Sequence, residues 1–382
     1  MPIPTSEAPA RPLPADEPRV HGEAIVYRLY DVGYEIRLDR VAELLASSGP
    51  ERLRPVRGEA QTIHIPNPPV TVSLGMHTVV VGDEPREVEF SGRVFDFGVV
   101  SLRARLAARP DLPWAEFAAF GAAVSAAPGW TAAFALVRER LLARIAPAIE
   151  RPGDAPVTED YVVFRVNRLE DGAGARLPAD ALQDEDIARL LVGESRPLSA
   201  ATRRELMSQR FSYFEDDLAV LTWNAALVVE PVAEDTDVQY VLEFANAQLL
   251  ELRFDDAVLD AEIPKIYTRV AEARRGTHLL RRGFSRLLAD LQTRVADATE
   301  LVERVENSLK VTDDVFLARI YAAALEIFRG GTWRRGIDRK LAILRDSYGM
   351  LNAETQARRA EMLEIVIVLL IGFEILLTLM GR

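Results

Sequence analysis

The chain contains no cysteine, which excludes a disulfide framework, a thiolate metal site and a cysteine nucleophile. The sequence also lacks GxSxG, GxGxxG and GxxxxGK[ST] motifs, so it gives no support for a nucleophile elbow or a phosphate-binding loop. The four histidines (His21, His64, His77 and His278) form no HExxH or similar pattern, and we expect them to be structural or exposed. No cofactor is expected.

Lysine is scarce, and basic residues are fewer than acidic ones. The chain has 46 Lys and Arg against 58 Asp and Glu, which gives a net charge of −12. Such a balance disfavours binding to nucleic acid or to an anionic surface. The total hides an asymmetry, because residues 264–360 hold 19 basic and 12 acidic side chains, net +7. The dominance of arginine and the alanine-rich helices indicate a GC-rich bacterial source.

The first twenty residues have no long hydrophobic run. Residues 1–20 are rich in proline and alanine and lack the apolar core of a secretory signal. We expect a disordered tail.

The composition that is present, 49% hydrophobic and 27% charged, is typical of a folded protein. Runs rich in β-branched and aromatic residues at 24–32 and 161–169 each precede a helical pattern, then further β-like runs and another helix. The sequence therefore predicts an α+β region built from two related strand-helix-strand-strand-helix modules, at 21–150 and 151–260.

From Pro264 onward the β signals disappear and apolar residues recur at helical intervals. Proline is tolerated in the first turn of a helix, so Pro264 is expected to open one long helix, and Thr312 to cap a second. Gly330 and Gly331 indicate a bend or a short loop. Residues 261–360 are thus predicted to form a basic helical hairpin with coiled-coil character.

The chain closes on an apolar run that predicts a C-terminal transmembrane anchor at 361–382. Residues 362–380 span about 28 Å as a helix, close to the ~30 Å hydrocarbon core of a bilayer. Arg358 and Arg359 precede the run, which by the positive-inside preference leaves the bulk of the chain in the cytoplasm at the cytoplasmic membrane. The alternative is a buried terminal helix of a soluble protein, which the all-round apolar composition disfavours.

Glu374 interrupts this run, and a charge near the bilayer centre costs on the order of 2.5 kcal/mol or more. It therefore needs a proton or a partner. Steps of three and four residues place it on a predicted oligomer seam formed by Glu364, Ile367, Ile371, Glu374 and Thr378. We expect a homo-oligomer; an ion-conducting one is a further option, although leucine and isoleucine offer little polar lining.

Two charged clusters are weaker candidates. Glu215, Asp216 and Asp217, with Asp255, Asp256 and Asp260, offer oxygen ligands for a divalent cation, although a solvated turn and a charged helix face are favoured. A basic cluster could contact anionic lipid or RNA phosphate, or be a solvated helix surface; its members are Arg274, Arg275, Arg281, Arg282 and Arg286.

The C-terminal third resembles the family named for "required for meiotic nuclear division" proteins, which occurs in bacteria, fungi and mitochondria. The matching residues are Trp333, Lys340, Leu341, Leu344, Tyr348, Leu351, Leu363, Glu364, Leu370, Ile371 and Glu374. Upstream, RVFDFGVVSL at 93–102 is similar to another family motif, whereas ANAQLLELRFDD at 245–256 lacks the serine found in many relatives. The resemblance implies a membrane-associated, self-associating protein without established enzymatic activity; mitochondrial relatives support translation at the inner membrane.

These patterns together favour a membrane-tethered, self-associating scaffold or adaptor without catalytic activity. Its partners would be itself, the lipid bilayer and an unidentified protein. The alternative is a divalent-metal-dependent phosphoesterase or nuclease that uses the acidic cluster at 215–217.

Overall fold

The computed structural model describes residues 17–46, 67–153, 157–194, 196–231, 236–275, 296 and 314–380. These fall into two compact units. The first takes its described residues from Met1–Glu251 and Ser308–Gly330, and the second from Leu252–Asn307 and Gly331–Arg382. Most of the predicted N-terminal tail, residues 1–16, lies outside the described residues, while Arg19 and Val20 already belong to the first strand.

All described strands belong to the first unit. Their bounds are β1 Arg19–Asp31, β2 Gly33–Ile36, β3 Val70–Val81, β4 Glu84–Val94, β5 Val99–Ala107, β6 Leu112–Pro113, β7 Ile149–Pro152, β8 Thr158–Glu170, β9 Arg210–Phe211, β10 Leu218–Leu221 and β11 Ala225–Val229.

The described α-helices lie between these strands and after them. Their bounds are α1 Leu38–Ala46, α2 Trp114–Ala126, α3 Trp130–Ile145, α4 Asp184–Val192, α5 Ala200–Leu206, α6 Asp237–Arg275, α7 Val315–Ile327 and α8 Gly330–Met380. The chain is thus a mixed α+β protein, as predicted.

One large sheet organises the first unit, in the order β3-β4-β5-β1-β8-β11-β10-β9, with β6 also paired to β1. The long central strands β1 and β8 run antiparallel. Strand β11 pairs with β8 in parallel, whereas the other described pairs of this sheet are antiparallel. Strands β2 and β7 form a separate two-stranded ribbon.

The two faces of the sheet are covered by different helices. On one face, helices α1 to α4 bury an apolar core that includes Phe90, Phe134 and Phe164. On the other face, the first part of α6 packs against the sheet through Phe244, which contacts the Phe95 ring, and α7 leads to Phe328, which contacts Tyr161. Both faces of the central strands are therefore covered, which explains the consecutive apolar residues at 24–27 of β1 and 161–164 of β8.

The two predicted modules occupy matching positions in the sheet. In each, a long central strand is followed by helix and then by a three-stranded meander whose last strand returns to that central strand. Their strand directions differ, because β5 is antiparallel to β1 while β11 is parallel to β8. The internal duplication therefore stays a prediction.

Several predicted boundaries were wrong. Ser91 and Gly92, expected to form a turn, lie inside β4, where the space for a Cβ on Gly92 is taken by Leu141 and other core side chains. The predicted helix over 114–149 is two helices, α2 and α3, interrupted around Gly129.

The helical region also differs from expectation in its boundaries. Pro264 lies within α6 rather than at a helix start, so the predicted domain boundary at 260/261 falls inside this helix. The cap of α7 is Asp314, whose Oδ1 accepts hydrogen bonds from the backbone N–H groups of Phe316 and Leu317 at 2.7 and 3.1 Å. The expected break occurs just before Gly330, at Arg329, whose φ is 53°. Much of the predicted hairpin, 276–295 and 297–313, lies outside the described residues.

Candidate functional site

The C-terminal part of α8 carries a continuous run of exposed apolar side chains. Between 45% and 67% of each of the following is exposed: Leu363, Ile365, Val366, Ile367, Val368, Leu369, Leu370, Ile371, Phe373 and Ile375. Successive side chains of a helix point about 100° apart, so these residues surround the helix rather than lining one stripe. This is the largest apolar feature that the described part of the chain leaves uncovered.

Among the described residues, no single helix is long and apolar enough to cross a membrane. Within α8 the apolar helical stretch is Leu363–Phe373. Helices α2 and α3 pass such a test only as a pair bent by 62°. Their apolar side chains Phe117 and Phe134 are fully buried in the first unit.

The predicted oligomer seam lies in α8. Glu364, Ile367 and Ile371 are exposed, and Glu374 and Thr378 belong to the same helix. Helical spacing keeps these positions on one line, but their contact between copies stays a prediction. In the predicted basic cluster, Arg274 and Arg275 close α6, whereas Arg281, Arg282 and Arg286 lie outside the described residues.

The acidic residues at 215–217 lie in the turn before β10. Glu215 and Asp216 are exposed. Asp217 is half-buried, and its Oδ1 accepts a hydrogen bond of 2.7 Å from the backbone N–H of Tyr213, which stabilises the turn. These positions do not form a recognisable set of metal ligands. The predicted cation site and the phosphoesterase or nuclease alternative therefore stay predictions.

The other acids proposed for that site belong to the second unit. There the Lys340 ammonium group lies 2.7 Å from Asp256 Oδ1 and 2.6 Å from Asp260 Oδ1. Lys340 is largely buried together with Asp256, so these contacts join α8 to the second part of α6, and the single lysine charge is shared between the two carboxylates. These carboxylates act as structural partners of a lysine.

A carboxyl group missed from the sequence lies beside Asp217. Glu230 directly follows β11, and the register of Leu218 with Val229 brings Asp217 and Glu230 to the same end of the β10–β11 hairpin. The pKa of Glu230 is raised to about 7, mainly by burial and in smaller part by Asp217 and Asp237, while a hydrogen bond from Thr236 and the Arg165 guanidinium oppose the shift. An acid immediately after a fully apolar strand was the available sequence signal.

A second group missed from the sequence lies where β1, β8 and the loop before β6 meet. One ligand atom each of His21, Asp111 and Glu170 lies within 4.8 Å of the others, the arrangement within the described residues that best fits a metal ion. His21 Nε2 is 3.3 Å from Glu170 Oε2, beside the irregular pairing between His21 and Gly22. No local motif reveals this group, because strand register alone brings together residues so far apart in sequence.

Two arginines occupy the same group. Arg168 contacts Glu170 Oε1 at 3.1 Å and also approaches His21 Nε2 at 3.0 Å, and Arg19 binds Asp111 Oδ2 at 3.0 Å. With a neutral histidine the five side chains carry no net charge, so a divalent cation would have to displace guanidinium groups from its ligands. The arrangement fits an ion-pair network that joins the strand ends.

A cleft of about 660 Å³ in the first unit lies around the start of α4. Arg210 binds Asp180 and Asp184 at 2.9 and 2.7 Å, and Arg203 binds Glu185 at 2.6 Å. Most of its charged groups are thus paired with one another, and acids in the first turn of α4 interact favourably with the helix dipole. The charged residues of the cleft therefore stabilise the start of α4, and their pairing does not indicate a ligand site.

The family described as "Uncharacterized protein MJ0711, N-terminal domain" matches residues 21–236. The chain belongs to this family. The match covers most of the sheet, including the His21 group and the acidic turn at 215–217, and ends just before α6.

One relative is "Uncharacterized protein MJ0711" of Methanocaldococcus jannaschii, 24% identical over 193 residues. The aligned region covers 50% of this chain and 58% of that protein. No solved structure matches the chain. The relative is archaeal and so lends no support to the predicted bacterial source, and the resemblance to the meiotic nuclear division family is not confirmed.

Proposed function

We propose that this protein is a membrane-tethered, self-associating scaffold that attaches to a lipid bilayer through the apolar end of α8. The observation that carries the proposal is the run of exposed apolar side chains from Leu363 to Ile375. In the sequence the run continues to Met380, interrupted by Glu374 and Thr378.

The distribution of these side chains favours lipid over a single protein partner. A helix that packs on one protein surface needs an apolar stripe and keeps a polar face toward water. Here the consecutive residues Val366, Ile367 and Val368, which point about 100° apart around the helix, are all exposed. Hydrocarbon chains cover a helix from every side, which matches this pattern.

The size of the apolar surface is sufficient for attachment. Fully burying one aliphatic side chain contributes about 1.5–3 kcal/mol. Ten half-exposed side chains moving into hydrocarbon would thus contribute on the order of 10 kcal/mol before the costs of association. The arginines at 358 and 359, just before the run, would stay at the headgroups and keep the bulk of the chain in the cytoplasm.

The scaffold role itself rests on the first unit. Ion pairs join several of its charged groups, among them Arg165 with Glu23 at 2.7 Å and Arg210 with Asp184 at 2.7 Å. A nine-stranded sheet tethered to a bilayer suits the display of protein-binding surfaces. Association of the tethered helices along the predicted seam would bring several such units together.

Flotation with liposomes tests the attachment. The full chain, purified in detergent, is reconstituted with vesicles of neutral and anionic phospholipid and centrifuged through a density gradient, followed by an alkaline wash. Leu369→Arg with Leu370→Arg introduces two charges into the exposed run. Leu136→Arg with Val192→Arg is the matched control, because these leucine and valine side chains are also exposed but lie on α3 and α4.

We expect the unaltered chain and the control variant to float and to resist the wash, and the α8 variant to stay at the bottom of the gradient. Flotation of the α8 variant to the same extent would refute attachment through this helix. If every variant sediments while circular dichroism shows folded protein, the membrane proposal is wrong.

A further inference from the structure

Among the described strands, β3 forms one end of the large sheet and is unusually long for a terminal strand. It runs over twelve residues, Val70–Val81, whereas β9 at the opposite end has two. Native proteins protect long terminal strands with charges, proline or irregular pairing, because the unpaired backbone groups can pair with another chain.

The second half of β3 shows little of that protection. Pairing with β4 shifts between Ser73 and Gly75, where Gly75 has a φ of 83°, and this bulge interrupts the strand. Beyond it, residues 76–81 read MHTVVV, with no formal charge other than a protonated histidine and no proline. A six-residue segment of high β propensity and no net charge is suited to pairing with an identical segment of another chain.

The side chains of this segment divide between core and surface. Val79 and Val81 are buried, and His77 packs its ring edge-on against Phe90 with centroids 5.3 Å apart. On the other face Met76 is 57% exposed and Val80 is 50% exposed. The segment is thus held in extended form from one face while the other offers apolar side chains.

We propose that residues 76–80 of β3 pair in antiparallel orientation with the same residues of a second copy of this chain. In a two-fold arrangement centred on Thr78, the two Thr78 residues lie opposite each other, and Met76 of each copy lies opposite Val80 of the other. Threonine pairs and apolar pairs both stabilise antiparallel strands. The exposed apolar side chains of the two copies then form one continuous surface.

Charge favours a second copy over a charged partner. The chain carries −12 overall, so association of two copies needs contact surfaces with few acids. The nearest acids on this face are on β4, where Glu87 lies opposite Thr78 and Glu89 opposite Met76. Across the proposed junction the equivalent glutamates stand three strand spacings apart, about 14 Å, beyond the Debye length of about 8 Å at physiological salt.

The absence of cysteine allows a clean crosslinking test on the full chain in detergent micelles. Thr78→Cys is expected to form a disulfide-linked dimer rapidly on mild oxidation, because the two sulfurs would face each other. Met76→Cys and Val80→Cys are each expected to crosslink poorly alone and efficiently when mixed. Leu136→Cys, at an exposed position on α3, measures the rate of crosslinking by random collision.

If Thr78→Cys crosslinks no faster than Leu136→Cys, the proposal is overturned. Efficient crosslinking of Met76→Cys alone would also overturn it, because that result requires a different register. Thr78→Lys provides a second readout. The lysine can pair with Glu87 within one copy, so the fold is expected to persist, while two facing lysines should weaken self-association at least tenfold in analytical ultracentrifugation.

This inference does not depend on membrane attachment. Thr78→Lys should float with liposomes as the unaltered chain does, and the Leu369→Arg, Leu370→Arg variant should retain the Thr78→Cys crosslink. An unchanged dissociation constant in folded Thr78→Lys would refute the pairing even if flotation succeeds.

Discussion

The buried ion pair between Arg93 on β4 and Glu243 on α6 offers a quantitative test of how the first unit is held together. The Glu243 side chain is 1% exposed and that of Arg93 is 12% exposed, and the guanidinium donates a hydrogen bond to Glu243 Oε2. Arg93 also lies over the Tyr240 ring, 4.6 Å from its centroid. Tyr240 and Glu243, about one turn apart on α6, are thereby attached to the sheet.

Removing one partner leaves the other charge buried. Glu243→Leu and Arg93→Met should each lower the free energy of unfolding by about 3–5 kcal/mol. Arg93→Met should cost more than Glu243→Leu, because it also removes the contact with Tyr240, worth about 1–2 kcal/mol when shielded from water. The double variant, which buries apolar groups only, should be nearly as stable as the unaltered chain.

The assay is urea unfolding of all four proteins, followed by tryptophan fluorescence and by circular dichroism. The four free energies of unfolding form a double-mutant cycle, whose coupling energy we expect to be at least about 3 kcal/mol. In thermal unfolding, each single variant should melt about 6–20 °C lower, since 1 kcal/mol shifts a large domain by about 2–4 °C.

The exposed pair of Arg40 and Glu43 on α1 provides the control. Its N···O distance is 2.7 Å, but the side chains are 49% and 66% exposed. Glu43→Gln should therefore cost no more than about 0.5 kcal/mol. If Glu243→Leu costs as little as Glu43→Gln, or if the double variant loses as much as the two single ones combined, the reasoning from burial is wrong.

Two further predictions concern a buried carboxyl group and a tight turn. The pKa of Glu230 is raised to about 7, mainly by burial, above its usual value of 4.5, so the folded state retains a proton that the unfolded state releases. The contribution of this group to the free energy of unfolding is therefore fully present below pH ~4.5 and is lost as the pH rises to about 7. Glu230→Gln should flatten this fall between pH 5 and 8 in urea unfolding, and an unchanged slope would contradict the assignment. Gly98 has a φ of 91°, and an added Cβ would lie 1.8 Å from the Gly33 carbonyl oxygen, so Gly98→Ala should abolish or severely reduce folded yield. Gly82→Ala is the control, with a φ of 63° but open space, and it should cost only about 1 kcal/mol.

The sequence by itself determined the type and approximate place of most elements. Alternating and β-branched runs located β1 and β8, because such side chains fit a buried, pleated strand. The all-round apolar composition at the end of α8 was likewise readable, since helix periodicity without a polar face needs no tertiary information. These are local properties of the chain.

The tertiary structure decided what local signals leave open. The parallel pairing of β11 with β8 depends on where α4 and α5 lead the chain, and no pattern within either strand encodes it. Pro264 stands inside α6 although proline usually marks a helix end. Packing against neighbouring residues can offset the cost of one lost hydrogen bond, so propensity alone misplaced that boundary.

The candidate sites show the same division. The exposed run of α8 follows from sequence, whereas the proximity of His21, Asp111 and Glu170, and that of Asp217 and Glu230, follows from strand register. A shift of one residue in pairing would move every side chain of a strand to the opposite face. Register is set by the whole core, and for that physical reason only the folded chain reveals which charged groups meet.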